Sequence, residues 1–266
     1  MELKVVKAVI FDLDDTLLWD KKSVAESFKA TCEAATDKYD VNIDRLEEAV
    51  REAARQLYSQ YETYEFTQMI GINPFEGLWG NFGDKINVNF RKMKEIVPQY
   101  RTDAWTQGLK TLGIEDRAFG GVVGELFAKN RRTLPFLYED TFTLLEDLKE
   151  DYQLLLLTNG SPELQNEKLD MTPELIPYFD HIIISGAFGR GKPDPAIFEH
   201  CLYLTGLTKD EAVMVGDNLH TDIIGSNKIG MRNVWINRDN KDIVDDIFPT
   251  YTIKELSELP PLLKQL

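Results

Sequence analysis

A nearly unbroken apolar run, Val5-Val6-Lys7-Ala8-Val9-Ile10-Phe11, stops abruptly at Asp12-Leu13-Asp14-Asp15-Thr16. Continuous apolar character is what a strand buried on both faces of a parallel sheet requires, whereas a strand with one wet face alternates. Such a strand commits the chain to an α/β architecture and puts Asp12 and Asp14 just past its carboxyl end, the edge where open parallel sheets bind ligands. Three carboxylates within four residues repel one another unless a cation or a proton compensates. The same residues could also simply close a strand or cap a helix, so the rest of the chain decides between a turn and a site.

Its 266 residues give room for one large domain, or a domain with an insert. The formal net charge of -15 opposes attraction to DNA, RNA or anionic lipid, so neither nucleic acid nor membrane is expected as a partner. Cys32 and Cys201 are too few and too scattered for a disulfide framework or a thiolate metal site, and read as reduced thiols. The first residues lack the pattern of a secretory leader, and no run approaches the roughly 18 to 20 apolar residues needed to cross a bilayer. A soluble cytoplasmic protein is expected.

After the first strand the pattern becomes helical. Ser23 to Tyr39 and Asp44 to Tyr61 have amphipathic spacing, the second through Leu46, Val50, Ala53, Ala54, Leu57 and Tyr61. Residues 62 to 83 mix Phe66, Trp79 and Phe82 with Gly and Asn, which suits short helices and aromatic-rich loops that fill a core. Separate helices are predicted over Asn89 to Ile96, Thr102 to Leu112 and Glu115 to Arg131. From residue 140 the α/β rhythm returns, with strands over Gln153 to Leu157, His181 to Ser185, Ala212 to Val215 and Asn233 to Ile236. Helices alternate with them, and Thr250 to Ile253 is a candidate edge strand. The expected fold class is α/β: a Rossmann-like parallel sheet flanked by helices, formed by residues 1–18 and 135–266, with an all-helical cap at residues 19–134. An insert directly after the first strand emerges at the ligand edge, where it can act as a lid.

Unusual residues recur at the strand ends: Asp12 with Asp14, Thr158 with Asn159, Lys192 in Gly-Lys-Pro-Asp-Pro, and Asp217 with Asp222 in Gly-Asp-Asn-Leu-His-Thr-Asp. A parallel sheet sets these ends side by side, so residues some 200 positions apart can share one site. Any one of them alone reads as a turn or a solvated loop residue; together they read as an enzyme site. His181, His200 and His220 have no mutual ligand spacing, and no zinc site is expected from them.

These four motifs, in this order, resemble those of the haloacid dehalogenase superfamily, and the insert resembles its helical-cap phosphatase subgroup. The resemblance implies a phosphatase acting through a phospho-aspartate. Asp12 is then the nucleophile, and Asp14 the acid that protonates the leaving alcohol and the base that activates water. Thr158, Asn159 and Lys192 are implied as phosphate-binding residues. Asp12, Asp217 and the backbone carbonyl of Asp14 are implied as ligands of Mg²⁺, with Asp222 behind them, either on a metal-bound water or orienting Asp217 and Lys192. Asp15 and Thr16 shape the loop after the nucleophile.

The expected substrate is a small phosphorylated metabolite, with phosphoserine favoured on overall similarity to bacterial capped phosphatases. A nucleotide or sugar phosphate and a phosphomutase reaction remain alternatives. Family dehalogenases lack the acid at the position of Asp14, which argues against 2-haloacid dehalogenation, and an inactive binding module would have lost Asp12, Asp14 or Lys192. Trp79, Phe82 and Arg91 are the cap residues offered for specificity. A monomer or a weak homodimer is expected.

Overall fold

The computed structural model describes residues 5–266. The first four residues, which the sequence reading includes in the core segment 1–18, lie outside the described residues. β1 (Ala8–Phe11) is followed by α1 (Asp20–Ala35), α2 (Ile43–Tyr58), α3 (Tyr64–Ile70), α4 (Pro74–Gly77), α5 (Val88–Thr111) and α6 (Arg117–Thr133). Then come α7 (Thr141–Leu148), β2 (Gln153–Thr158), α8 (Pro162–Asp170), β3 (His181–Ile184), α9 (Ser185–Phe188) and α10 (Pro195–Thr205). β4 (Ala212–Gly216), α11 (Ile224–Ile229), β5 (Arg232–Ile236), β6 (Tyr251–Ile253) and α12 (Leu259–Leu263) complete the series. Contacts divide the chain into two compact units. An α/β unit comprises the segment ending at Trp19, with Leu137–Gly160 and Thr172–Leu266; a helical unit comprises Asp20–Phe136 and Ser161–Met171.

The α/β unit is built on a six-stranded sheet in the order β3-β2-β1-β4-β5-β6, every pair parallel. β1 is the interior strand at which the order of connection reverses: Ile10 pairs with Leu155 on one side and Met214 on the other. That reversal opens a crevice beyond the carboxyl ends of β1, β2 and β4. All four residues of β1 are buried, as the continuous apolar run requires. The strand begins later than the run, because Val5 is 71% exposed. Ala8, Ile10, Leu155, Leu157, Ala212 and Met214 pack with Ile197, Phe198 and Cys201 of α10. The alternate residues Val9, Phe11, Leu154, Leu156, Val213 and Val215 are buried too, so both faces are covered.

The helical unit has its own core around Phe28, Trp79, Tyr100, Trp105 and Phe127. α2 buries Leu46, Val50, Ala53 and Ala54 along the stripe that its sequence shows. The two helices expected over Asn89 to Ile96 and Thr102 to Leu112 are one, α5, which runs unbroken to Thr111 with Pro98 inside it. Proline forfeits one backbone hydrogen bond there, but Phe90, Met93, Val97, Tyr100, Ala104 and Trp105 present one buried face across it, and tertiary packing overrides the local penalty. Trp79 and Phe82, offered above for specificity, are core side chains of this unit, each 1% exposed, while Arg91 donates to the Lys85 carbonyl at 2.9 Å.

Helix α8, which the sequence groups with the α/β segments, packs in the helical unit. Leu164 joins its core. Lys168 pairs with Glu76 at 3.0 Å, and Glu167 pairs with Arg132. Asp20, 4.0 Å from Lys168, is held at 2.7 Å by Arg131, whose guanidinium lies over the Trp79 ring. Among the described residues no helix is long and apolar enough to cross a membrane.

Candidate active site

Asp12 stands one residue past β1, its amide still in the ladder through a 2.9 Å bond to the Val215 carbonyl. Its carboxylate is 2.6 Å from the Lys192 ammonium, which also lies 2.8 Å from Asp222 and donates to the Leu157 carbonyl at 2.7 Å. Lys192 therefore ties together groups from β1, β2 and the turn after β4. Side-chain oxygens of Asp12, Asp217 and Asp222 gather within 4.8 Å of one another.

The loop after Asp12 is folded back on itself. Asp15 takes a left-handed conformation, φ 61°, which a short polar side chain tolerates, and its amide bonds the Leu18 carbonyl at 2.6 Å. The turn brings Thr16 under the site. Its hydroxyl donates to Asp12 Oδ2 at 3.2 Å and accepts from the Asp217 amide at 3.1 Å. Half-buried Asp14 pairs through its backbone with Leu18.

Asn159, at the turn after β2, is bonded to the backbone of Lys192. Its carboxamide donates to the Lys192 carbonyl at 2.9 Å and accepts from the Lys192 amide at 2.8 Å. These two bonds fix the lysine backbone in place. Buried Thr158 precedes Asn159 at the end of β2. Gly160, at φ 145°, turns the chain in a conformation closed to side chains, and its amide is held by Ser185 Oγ at 2.8 Å.

Asp222 is fully buried on a single π-helical turn, Leu219–Ile223, that leads into α11. Its Oδ2 accepts from the Asn218 amide at 3.1 Å. Gly216 makes room for it: a Cβ there would lie 2.2 Å from that carboxylate. Trp235 of β5 donates to the Asp217 carbonyl at 2.9 Å. Neither Ser185 nor Trp235 belongs to a motif. Their one sequence signal is position, at or just past a strand end.

Burial dominates the electrostatics of Asp12. Loss of hydration outweighs the attraction of Lys192, Asp222 adds repulsion, and the Asp12 carboxyl is pushed up to about 6. Burial also acts against the charge of Lys192, but the Asp12 and Asp222 carboxylates outweigh it and hold the ammonium firmly protonated. Three clustered carboxylates against one ammonium leave net negative charge among hard oxygen donors, which is the donor chemistry that Mg²⁺ accepts.

The model of haloacid dehalogenase-like hydrolases matches residues 6–230, and the chain belongs to that hydrolase family. Among its relatives, the phosphoserine phosphatase of Thermus thermophilus is 30% identical over 96% of this chain and 98% of its own length. The N-acylneuraminate-9-phosphatase of Mus musculus is likewise 30% identical, over 100% of this chain and 97% of its own. In fold, the chain is similar to the HAD-hydrolase YfnB of Bacillus subtilis, solved bound to magnesium, with a TM-score of 0.66 at 24% identity, covering 98% of this chain and 99% of that one.

Proposed function

We propose that this hydrolase is a Mg²⁺-dependent phosphatase that cleaves a small phosphomonoester through a phospho-aspartate on Asp12. The observation that carries the reading is the buried Asp12–Lys192–Asp222 triad at the switch point of the sheet, with a second carboxylate, Asp14, two residues beyond the first. Asp12, Asp217 and the Asp14 carbonyl would hold Mg²⁺, with Asp222 steadying Lys192 and the turn that carries Asp217. When bound, the cation supplies charge neutralisation for an anionic substrate.

The Asp12 carboxylate attacks phosphorus, forming an O–P bond as the bond to the alcohol oxygen breaks. Asp14 gives its proton to that oxygen. Asp14, now a carboxylate, takes a proton from water, whose oxygen attacks the phospho-aspartate and frees phosphate and Asp12. Lys192 and the Thr158 hydroxyl stabilise charge on the phosphoryl oxygens, and Asn159 keeps Lys192 in register. Asp14 favours this reading over dehalogenation, which has no leaving oxygen to protonate.

Phosphoserine and N-acylneuraminate 9-phosphate are the first substrates to try, since relatives named for each align over nearly the whole chain at equal identity. The helical unit, taken as the cap, is the proposed source of the choice between them. Phosphate release from a panel of phosphorylated metabolites, with and without Mg²⁺, tests the reading. Metal-dependent release from one substrate class is expected. Asp12→Asn should abolish it while the fold survives; an active mutant would rule out the covalent route. Asp14→Asn should slow both formation and hydrolysis of the phospho-enzyme by about 10²-fold or more, as loss of a general acid–base does; unchanged single-turnover rates would assign the proton to another group.

A further inference from the structure

Outside the four motifs, a side chain from the loop after β5 reaches the loop that follows Asp12. Arg238 follows that strand by two residues, with 19% of its side chain exposed. Its guanidinium lies over the Tyr138 ring, 3.6 Å from the centroid, and Tyr138 in turn stacks on Trp19 at 5.2 Å and 16°. Trp19 is where the chain leaves the α/β unit, and Leu137, beside Tyr138, is where it returns. The two crossing strands are joined here: Leu18 bridges Leu137, the Tyr138 amide reaches the Leu17 carbonyl at 3.3 Å, and Thr141 Oγ1 donates to that same carbonyl at 2.9 Å.

From this stack Arg238 Nη2 donates to the Thr16 carbonyl at 3.2 Å. The Thr16 hydroxyl holds Asp12 Oδ2 and receives the Asp217 amide. The chain of contacts thus runs Trp19, Tyr138, Arg238, Thr16, and from Thr16 to both carboxylate-bearing residues. Asp140, 4.0 Å away and itself fixed by the Leu256 amide at 2.8 Å, steadies the cation from the other side.

We infer that Arg238 is a positioning residue for Asp12, holding the Thr16 carbonyl, and through it the loop that aims the nucleophile, from a platform built where the chain enters and leaves the α/β unit. The role requires a guanidinium. A planar group can lie flat on an aromatic ring and still direct an N–H sideways at a carbonyl; an ammonium on a flexible stem cannot do both. Misplacing a reacting group by about an ångström costs on the order of 10²-fold in rate without weakening substrate binding, so the effect belongs in kcat.

The inference rests on the phosphatase reading, and its test separates the two. The wild type, Arg238→Lys, Arg238→Ala, Tyr138→Leu and the Arg238→Lys/Tyr138→Leu double variant are assayed on p-nitrophenyl phosphate with MgCl2. In parallel, amide hydrogen exchange is followed in peptides covering residues 12–18 and 215–219. Arg238→Lys is expected to lower kcat about tenfold or more with KM within about twofold, and the double variant to be no worse than the poorer single one, since both break the same chain of contacts. Exchange at Thr16 to Leu18 and at Asp217 should accelerate about tenfold or more in the same variants, with protection elsewhere in the sheet unchanged. Full activity in Arg238→Lys, or unaltered exchange in both peptides, overturns the inference. Additive losses in the double variant overturn the shared platform. A wild type inactive on p-nitrophenyl phosphate is carried through the panel of phosphorylated metabolites; silence on the whole panel refutes the phosphatase reading instead, and exchange alone then decides whether Arg238 holds the loop.

Discussion

At the scale of single residues, the site is a buried negative cluster held by one lysine. Asp12 is costly as a carboxylate, because burial raises it to about 6 despite Lys192. The sign of the consequence follows from linkage. A carboxyl whose folded value lies above its unfolded value contributes stability in full below the unfolded value and loses it as the pH rises through about 6. A cation favours the charged form, so proton and Mg²⁺ compete for the same group. Calorimetric titration with Mg²⁺ should therefore show affinity falling as the pH is lowered through about 6, approaching tenfold per unit below it if a single proton is displaced. Asp12→Asn should bind Mg²⁺ weakly and without that dependence. A wild-type affinity flat between pH 7 and 5 would contradict a raised Asp12 carboxyl competing with the cation, and an Asp12→Asn affinity equal to that of the wild type would mean that Asp12 is not a ligand.

At the scale of elements, much of the site is legible because its residues stand at the ends of strands that announce themselves. The apolar runs of β1, β2 and β4 end in Asp12, Thr158 and Asp217, and one topology gathers those ends. Arg238 and Ser185 are invisible in this way, since what makes them matter is a neighbour brought in from another strand. The reciprocal bond between Asn159 and the Lys192 backbone is not legible either, because it depends on the turn geometry of residues 33 positions away.

Helix α8 shows the same limit on a larger element: its nine residues have no strong apolar stripe, and the ion pairs to Glu76, Arg132 and Asp20 lie 92, 35 and 148 positions off. Those pairs carry a prediction. Lys168→Met strands buried Glu76 and should cost about 3 kcal/mol in urea unfolding at pH 7, with part of it recovered in Lys168→Met/Glu76→Gln, which keeps the acceptor for the Asn73 amide. Burial alone would raise Asp20, but Lys168 and Arg131 outweigh it and hold the carboxyl below its ordinary 3.8. Its contribution is complete above that ordinary value and is lost as the pH falls below it, opposite in sign to Asp12. The stability gap between wild type and Lys168→Met should therefore narrow in acid; a gap that widens there would contradict the assignment.

At the scale of the whole molecule, the two units fold around separate cores, and their sequences differ in how openly they declare this. The α/β unit repeats one signal, an apolar run ended by a polar cluster, and its sheet is readable strand by strand. Aromatics in the helical unit read as core filling, with Trp79 and Phe82 also offered for specificity, and the continuity of α5 across Pro98 follows from packing that no window of sequence contains. Composition, however, acts on the molecule entire. With 45 acidic against 30 basic side chains the protein presents a net charge of -15 to any phosphomonoester that approaches it. The attraction of Lys192 and a bound cation is local, whereas the repulsive field extends about 30 Å from the surface at 0.01 M salt and about 8 Å at 0.15 M. Raising the ionic strength over that range at constant free Mg²⁺ should therefore increase kcat/KM for an anionic ester by about two- to fourfold, through a lower KM and an unchanged kcat. A fall in kcat/KM would show instead that the surface near the site is locally cationic and steers the substrate in, and the search for specificity would then begin with exposed lysines and arginines of the helical unit rather than with its aromatics.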